Sequence, residues 1–349
     1  MKIFVTGCLH GNWDLLFDTV NEVISQGTKI DLIIVTGDAE TLRSEEDLKS
    51  FAAPPKYQKL GTFYKLYNGE KKLPALTIVV GGNHESSDFL HVLPFGGWLA
   101  ENVFYTGRAN SLRLGDLTIT AISGLYKPEQ YFRPVDEQYP IRSVSDLHTA
   151  YHIRAFSDFQ ILGLSSTDIM ISHEWPSTIP SKYGGEYLQR RRRDLIKCDQ
   201  EGNFGLPKGI EMINKLKPSS WFAAHHHITF QANIGDTSFH AIPKPTRPDW
   251  YLIADFDGDL GPLKYRGEWL SILKATTEEM ANPKVLDGID WQQKWEQMKP
   301  ELEKIEDTDV RPFELNPFMY TADFCSTFGV YCPNEEVRDF MVKNNIPFQ

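Results

Sequence analysis

Cys8 and His10 stand two positions apart in VTGCLHGNW, directly after the short apolar run Ile3 to Val5. That placement suits metal ligands at the end of a strand. The arrangement recurs along the chain: an apolar run, then Gly, Ala or Ser, then a side chain able to hold a metal. It delivers Asp38 in DLIIVTGDAE, Asn83 and His84 in LTIVVGGNHE, His173 in DIMISHEW, and His225 and His227 in SWFAAHHH. Any one of these histidines alone would pass for an ordinary core or surface residue. Recurrence at successive strand ends points to one site. Carboxylate, imidazole and amide oxygen together suit divalent first-row metals, and the donors suffice for two ions. Asp38 can bridge them, because a carboxylate has two oxygens to share. Two ions about 3.5–4 Å apart clamp both the attacking and the leaving oxygen of a phosphate ester, and a water they activate ionises near neutral pH. Such a site needs no protein nucleophile.

The thiol is the odd member. A thiolate is soft and favours Zn²⁺ or Fe²⁺, whereas Asp in its place would suit Mn²⁺ or Mg²⁺. Cys8 could equally be a small buried residue that fills space and binds nothing. Both readings stand at this point.

The elements that must position these groups are legible in the pattern. Near-continuous apolar runs read as strands buried on both faces. Helical spacing marks Trp13 to Gln26 through Leu15, Leu16, Val20, Val23 and Ile24, and a second helix from Pro207 to Leu216 feeds the last motif strand. Strands alternating with helices predict a layered α/β core, with ligands gathered outside the carboxyl ends of the strands. Between Leu117 and Leu162 lies a stretch rich in aromatic, basic and Pro residues, including GLYKPEQYFRPVDEQYPIRS. Its first part reads as an ordered loop and its second, from about Ser145, as a helix. After Phe239 the strand-and-ligand pattern stops. DWYLIADF reads as one more strand, followed by Trp-, Glu- and Lys-rich helical stretches from about Glu278. A boundary is expected near residue 240, dividing 1–240 from 241–349.

Composition narrows the function classes. The 349 residues suffice for one large domain or two ordinary ones. A net charge of −11 argues against binding polyanions by general electrostatics. The basic cluster Arg190 to Arg193 in YLQRRRRD is either a solvated face or a local phosphate-contacting patch. No run approaches 18 apolar residues, so no transmembrane helix is expected, and the apolar run before Gly7 is too short for a signal peptide. Four cysteines (Cys8, Cys198, Cys325 and Cys332) make no disulfide framework, which favours a reducing compartment, cytosolic or nuclear.

CLH, GD, GGNHE, SHEWP and AHHH resemble, in order, the five motifs of the calcineurin-like metallophosphoesterases: D-x-H, G-D, G-N-H-E/D, H and G-H-x-H. The resemblance covers roughly residues 1–240 and departs twice. Cys8 stands where that superfamily has Asp, and Ala224 where it has the Gly before the paired histidines. A first-motif cysteine is similar to the lariat RNA debranching family, as are GGNHESSDFLHVLPFGGWLAENVFYTG, SHEWP, YHIR and LKPSSWFAAHHH.

This resemblance implies a metallophosphoesterase-type layered β-sheet core flanked by helices, plus a smaller, family-specific C-terminal domain. It implies that His10 and His227 hold one metal with Cys8 beside it, that Asp38 bridges, and that Asn83, His173 and His225 hold the other. His84 would protonate the leaving oxygen, Glu85 would orient a neighbour, and His226 would be a spacer pointing outward. The implied reaction is hydrolysis of the 2′–5′ phosphodiester at the branch of excised intron lariats. A recognition segment at about 125–154, Leu125 to Arg154, would read the branch through Tyr126, Tyr131, Phe132, Tyr139, His152 and Arg154. Aromatic residues there could stack on splayed bases or anchor the loop on itself. Up to two divalent ions are expected, Fe²⁺ or Zn²⁺ favoured by Cys8 and Mn²⁺ able to support activity. The expected partner is branched RNA, with no membrane and no DNA, in the nucleus and also in the cytoplasm. Alternatives on the same fold are a phosphatase, another phosphodiesterase or a nuclease, and a non-catalytic scaffold.

The two readings of Cys8 separate on metal preference. If the thiolate is a ligand, Cys8→Asp gains relative activity with Mn²⁺ and loses any advantage with Zn²⁺ or Fe²⁺, while Cys8→Ser holds less metal. Identical metal ranking and content in all three proteins would make the thiol a packing residue.

Overall fold

The apolar runs do become buried strands, but they are divided between two sheets. The computed structural model describes residues 1–281, 290–299, 302–313 and 316–333, together with 335, 339 and 343. The six-stranded sheet runs in the order Tyr251–Asp255, Lys2–Thr6, Leu32–Val35, Leu76–Val79, Val103–Tyr105, Gly97–Ala100. Its four inner strands are parallel, and the two edge strands are antiparallel to them. The second sheet has eight strands: Phe230–Ile234, Thr237–Ala241, Ser220–Ala223, Ile169–Ser172, Leu117–Ile122, Ala109–Leu114, Leu263–Tyr265 and Thr308–Asp309. Its parallel block is formed by Thr237–Ala241, Ser220–Ala223, Ile169–Ser172 and Leu117–Ile122.

Both sheets feed one hydrophobic core. Ile3, Phe4, Val5, Ile33, Ile34, Ile78, Ile169, Ile171 and Trp221 are wholly buried. A strand covered on both faces has no polar side to alternate with, which is why its sequence reads as an unbroken apolar run. The helix Trp13–Ser25 closes one side with Trp13, Leu16, Val20 and Val23 inward, while Leu15 faces solvent. Helix Gly209–Leu216 leads into strand Ser220–Ala223, as its spacing predicts.

The aromatic-rich stretch differs from expectation at both ends. Leu117–Ile122 is a fully buried strand of the core. The helix expected from about Ser145 is broken into Val144–Thr149 and Ala155–Leu162, after a short helix Pro128–Tyr131. The break falls where Leu125 and His152 form a β-bridge: the Leu125 N–H donates to the Tyr151 carbonyl, and Ile153 N–H to Leu125. These long-range hydrogen bonds take residues 151–153 out of the helical ladder, an outcome that local spacing does not encode.

The boundary near residue 240 does not separate two units among the described residues. Past that point the chain returns to both sheets. Tyr251–Asp255 pairs along the whole of Lys2–Thr6, and Tyr251 stacks on Phe4 at 4.5 Å. Leu263–Tyr265 extends the second sheet, and helix Gly267–Ala275 buries Trp269, Leu270, Ile272 and Leu273. Helix Pro317–Phe328 sets Phe324 against Phe95 at 5.1 Å and Tyr265 at 4.9 Å. The helices expected from about Glu278 are seen in Thr277–Ala281, Trp291–Met298 and Pro317–Phe328, and the remainder of that expectation lies partly outside the described residues. The C-terminal part is therefore integrated with the core rather than standing apart. Deleting residues 241–349 should abolish the cooperative thermal transition, since it bares Phe4 and removes one edge strand from the first sheet and two from the second. A truncated chain melting as cooperatively as the full one would restore the boundary.

Candidate metal centre

The chain delivers each donor at the carboxyl end of a parallel strand, from both sheets. Strands Lys2–Thr6, Leu32–Val35 and Leu76–Val79 lead to Cys8 and His10, Asp38, and Asn83 and His84. Strands Ile169–Ser172 and Ser220–Ala223, in the other sheet, lead to His173 and to His225 and His227. Two clusters result. The donor atoms of Cys8, His10, Asp38 and His227 all lie within 4.8 Å of one another, as do those of Asp38, His173 and His225. Asn83 joins the second cluster, its Oδ1 being 3.3 Å from His173 Nε2. Asp38 belongs to both. The structure thus gathers every residue that the motifs nominated as a ligand, Cys8 included.

The backbone is strained where the donors turn inward. His10, Asp38, His225 and His227 have φ of 48°, 46°, 62° and 52°. Left-handed geometry is uncommon outside Gly, though His and Asp tolerate it better than most, and it concentrates at functional sites. Two glycines make room. A Cβ on Gly37, at φ 100°, would lie 2.2 Å from His173 Nδ1, and one on Gly82 would lie 2.2 Å from Asp38 Oδ1.

Hydrogen bonds fix each donor's aim. Asp38 Oδ1 accepts the N–H of both Asn83 and His84 at 2.9 Å. Glu85, fully enclosed, accepts the N–H of Ala39, Glu40 and Gly82 at 2.9–3.0 Å, so it ties the Asp38 turn to the Asn83 turn. His173 Nδ1 sits 2.8 Å from the Thr36 carbonyl, and His10 Nδ1 3.0 Å from Glu40 Oε1. With one ring nitrogen so occupied, each imidazole presents Nε2 to the cluster, the usual arrangement behind metal-binding histidines. His10 Nε2 and His227 Nε2 face each other at 3.1 Å.

Charge follows the same logic. Burial opposes ionisation of Asp38, but His173, His84, His10 and His225 outweigh it and hold the carboxyl well below the usual range. Burial lowers His225 to about 3; burial, then His10 and Lys244, lower His227 to about 4. Both are neutral imidazoles near pH 7, the form a metal accepts. Burial, with the Asp38 charge, pushes the Cys8 thiol up, and burial pushes Glu85 up to about 8. The donor set of carboxylate, amide, neutral imidazoles and one enclosed thiol fits two divalent cations sharing Asp38.

Sequence reasoning missed Glu40 and Glu174. Glu40 follows directly in GDAE and braces His10. Glu174 follows His173 and faces His226 Nε2 at 3.4 Å. His226 is consequently no outward spacer. It is enclosed between Trp175, at 5.3 Å, and Phe204, stacked at 4.9 Å. An acidic residue beside each motif was the available signal. His84 lies outside both donor clusters, half-buried, its ring edge-on to His10 at 5.4 Å.

The recognition residues are dispersed. Arg154 is 3% exposed, ion-paired to Glu137 at 2.7 Å and bonded to the Thr149 and His152 carbonyls, so it braces the segment from within. Tyr131 is 5% exposed and donates to Asp158. Both side chains are engaged by internal partners, and Arg154 nonetheless borders the cavity beside Gly82. Tyr126 packs edge-on against Tyr131, and Tyr139 against Phe318. Phe132 is exposed, but it borders a different cleft with Lys208 and Trp295. Of the six, His152 and Arg154 line a cavity with Gly82 and Glu85, beside Tyr151 and Arg108. Burial, with Arg154 and Lys127, lowers the His152 imidazole to about 4.

Two sheets converging on paired clusters of hard and borderline donors define a metallophosphoesterase. Residues 1–238 match the family described as calcineurin-like phosphoesterase, members of which use divalent metals. Among curated proteins the chain is 38% identical over 296 residues to lariat debranching enzyme A of Xenopus laevis, covering 80% of this chain and 55% of that one. It is 36% identical over 297 residues to the lariat debranching enzyme of Homo sapiens, covering 80% and 54%. To that of Caenorhabditis elegans it is 35% identical over 363 residues, covering 92% and 71%. The chain belongs to the calcineurin-like phosphoesterases and, within them, to the family of the lariat debranching enzymes. It spans about half the length of the frog and human relatives.

The close approach of Gly82 to Asp38 makes a direct test. Gly82→Ala should lower metal affinity about 10–100-fold, as disturbance of supporting groups does, with the thermal transition of the fold retained. Metal titration at wild-type affinity would show that the turn is not what holds Asp38.

Proposed function

We propose that the chain hydrolyses the 2′–5′ phosphodiester at the branch point of lariat RNA. The observation that carries this reading is Cys8: wholly buried, yet within reach of the His10, Asp38 and His227 donors, in a chain similar to enzymes named for lariat debranching. Divalent ions held there supply Lewis-acid activation of water and neutralise phosphate charge. The soft sulfur favours Fe²⁺ or Zn²⁺ on its side, with Mn²⁺ able to support turnover.

The chain's own residues do the rest. His10, His227 and Cys8 form one wall and Asn83, His173 and His225 the other, with Asp38 between. Water adds across the P–O2′ bond: phosphorus keeps the new oxygen as a 5′-phosphate, and the branch nucleotide's 2′ oxygen leaves. That oxygen needs a proton. His84 supplies it, because its imidazole borders the cluster, belongs to neither donor set and reaches solvent. Phe51, 6.3 Å from the ring, limits its swing. Tyr151 and His152 form the near side of the recognition segment. Branched RNA, rather than DNA, is the substrate this reading assigns.

Incubation of the metal-loaded protein with a synthetic branched RNA beside a linear control tests the reaction, with cleavage expected only at the branch. His84→Ala should slow turnover roughly 10²–10⁴-fold while retaining full metal content. Loss of metal in that variant would make His84 a ligand, and equal cleavage of linear RNA would make the protein a general phosphodiesterase.

A further inference from the structure

The run Arg190 to Arg193 has no place in the chemistry above, and the structure divides it. Arg190 pairs with Glu186 on the open face of helix Gly185–Arg191. Arg191 and Arg192 turn instead toward a cleft of about 680 Å³ that opens at His227. Arg192 donates to the His226 carbonyl at 2.6 Å and pairs with Asp194, so it is fixed against the backbone of the ligand loop. Arg191 lies over the ring of Tyr187 at 5.3 Å, and the Tyr187 hydroxyl is anchored on the Thr229 carbonyl. Lys244 and Arg247 also line it, from the loop after strand Thr237–Ala241. Among the described residues neither has an ion-pair partner within reach. Asp249 is the one carboxylate in the lining, and it accepts from Thr229.

A chain with net charge −11 has thus placed four cations around one cleft beside its metal centre. Cations spaced along a groove suit successive phosphates of a single strand, and an Arg plane on an aromatic ring suits an unstacked base. The groove lies on the Cys8, His10 and His227 side, whereas His152 and Tyr151 border the Gly82 side. A branch nucleotide at the metals would send its strands out on different sides. Resting on the assignment of branched RNA as substrate, we propose that this cleft binds one single-stranded arm of the branched RNA through its phosphodiester backbone. The segment 125–154 then faces the branch itself, and the cleft holds a strand leaving it.

The test compares kcat/KM of the metal-loaded full chain on a minimal branched RNA core and on the same core with each arm extended in turn. Extending one arm should raise kcat/KM, through KM. Arg247→Glu and Arg191→Glu, both at exposed positions, should each remove about tenfold of that gain. Removing a cation that meets a phosphate should also reduce the salt dependence by about 0.7 in the log–log slope. Lys29→Glu, the same charge change beside Asp31 at the amino ends of the strands, should keep both gain and slope. The proposal is overturned if no arm extension helps the wild-type protein, or if both cleft variants retain its gain and its slope. Failure of the wild-type protein to cleave any branched RNA would overturn the parent assignment, and the cleft's role with it.

Discussion

A single buried carboxylate organises the site. Asp38 takes backbone N–H bonds from the Asn83 turn, lies 3.3 Å from His173 Nε2, and reaches to 3.8 Å from His10 Nε2. It is 1% exposed. A buried carboxylate without partners would be costly, so the groups around it are arranged to keep it ionised. Amide donors come from one loop and imidazoles from three others. Moving Asp38 would unbind both donor clusters together and detach the turn that carries His84. Gly37 and Gly82 are small for this reason, and Glu85 clamps the two turns from beneath.

Strain follows from the same constraint. Five strand ends from two sheets must aim side chains at a volume a few ångströms wide, and regular backbone cannot aim them all inward. The left-handed residues His10, Asp38, His225 and His227 are where the chain departs from its preferred geometry. Such departures persist only when their surroundings over-determine them. Here the sheets, the Glu40 and Thr36 contacts and the buried Trp175 beneath the paired histidines do so. The cost falls on backbone already held by two sheets, and the donors are pre-organised in return.

Around this centre the surroundings differ by side. Toward Gly82 the wall is a braced segment, pinned by the Arg154–Glu137 pair and by Tyr131 on Asp158. Toward His227 the wall is an open, basic cleft. A symmetric small ester would make no use of such a difference. A substrate with strands leaving a branch would.

The ligand residues, their order and the strands that carry them were legible in the sequence, because a strand buried on both faces writes itself as an apolar run and its end as a polar residue after Gly, Ala or Ser. Cys8 was visible as an oddity, but its two readings could be weighed only when its sulfur was found among the His10, Asp38 and His227 donors. Local pattern carries no record of partners distant in the chain. It therefore could not show that the strands form two sheets, that Tyr251–Asp255 returns to pair with Lys2–Thr6, or that Leu125 breaks a helix at His152. It could not separate Arg154, spent on Glu137, from an arginine free for RNA, nor Arg191 from its neighbour Arg190. A residue's type fixes what chemistry it can do. Which partner satisfies it is decided only when the core closes, because burial forces every charge and hydrogen-bonding group to find one.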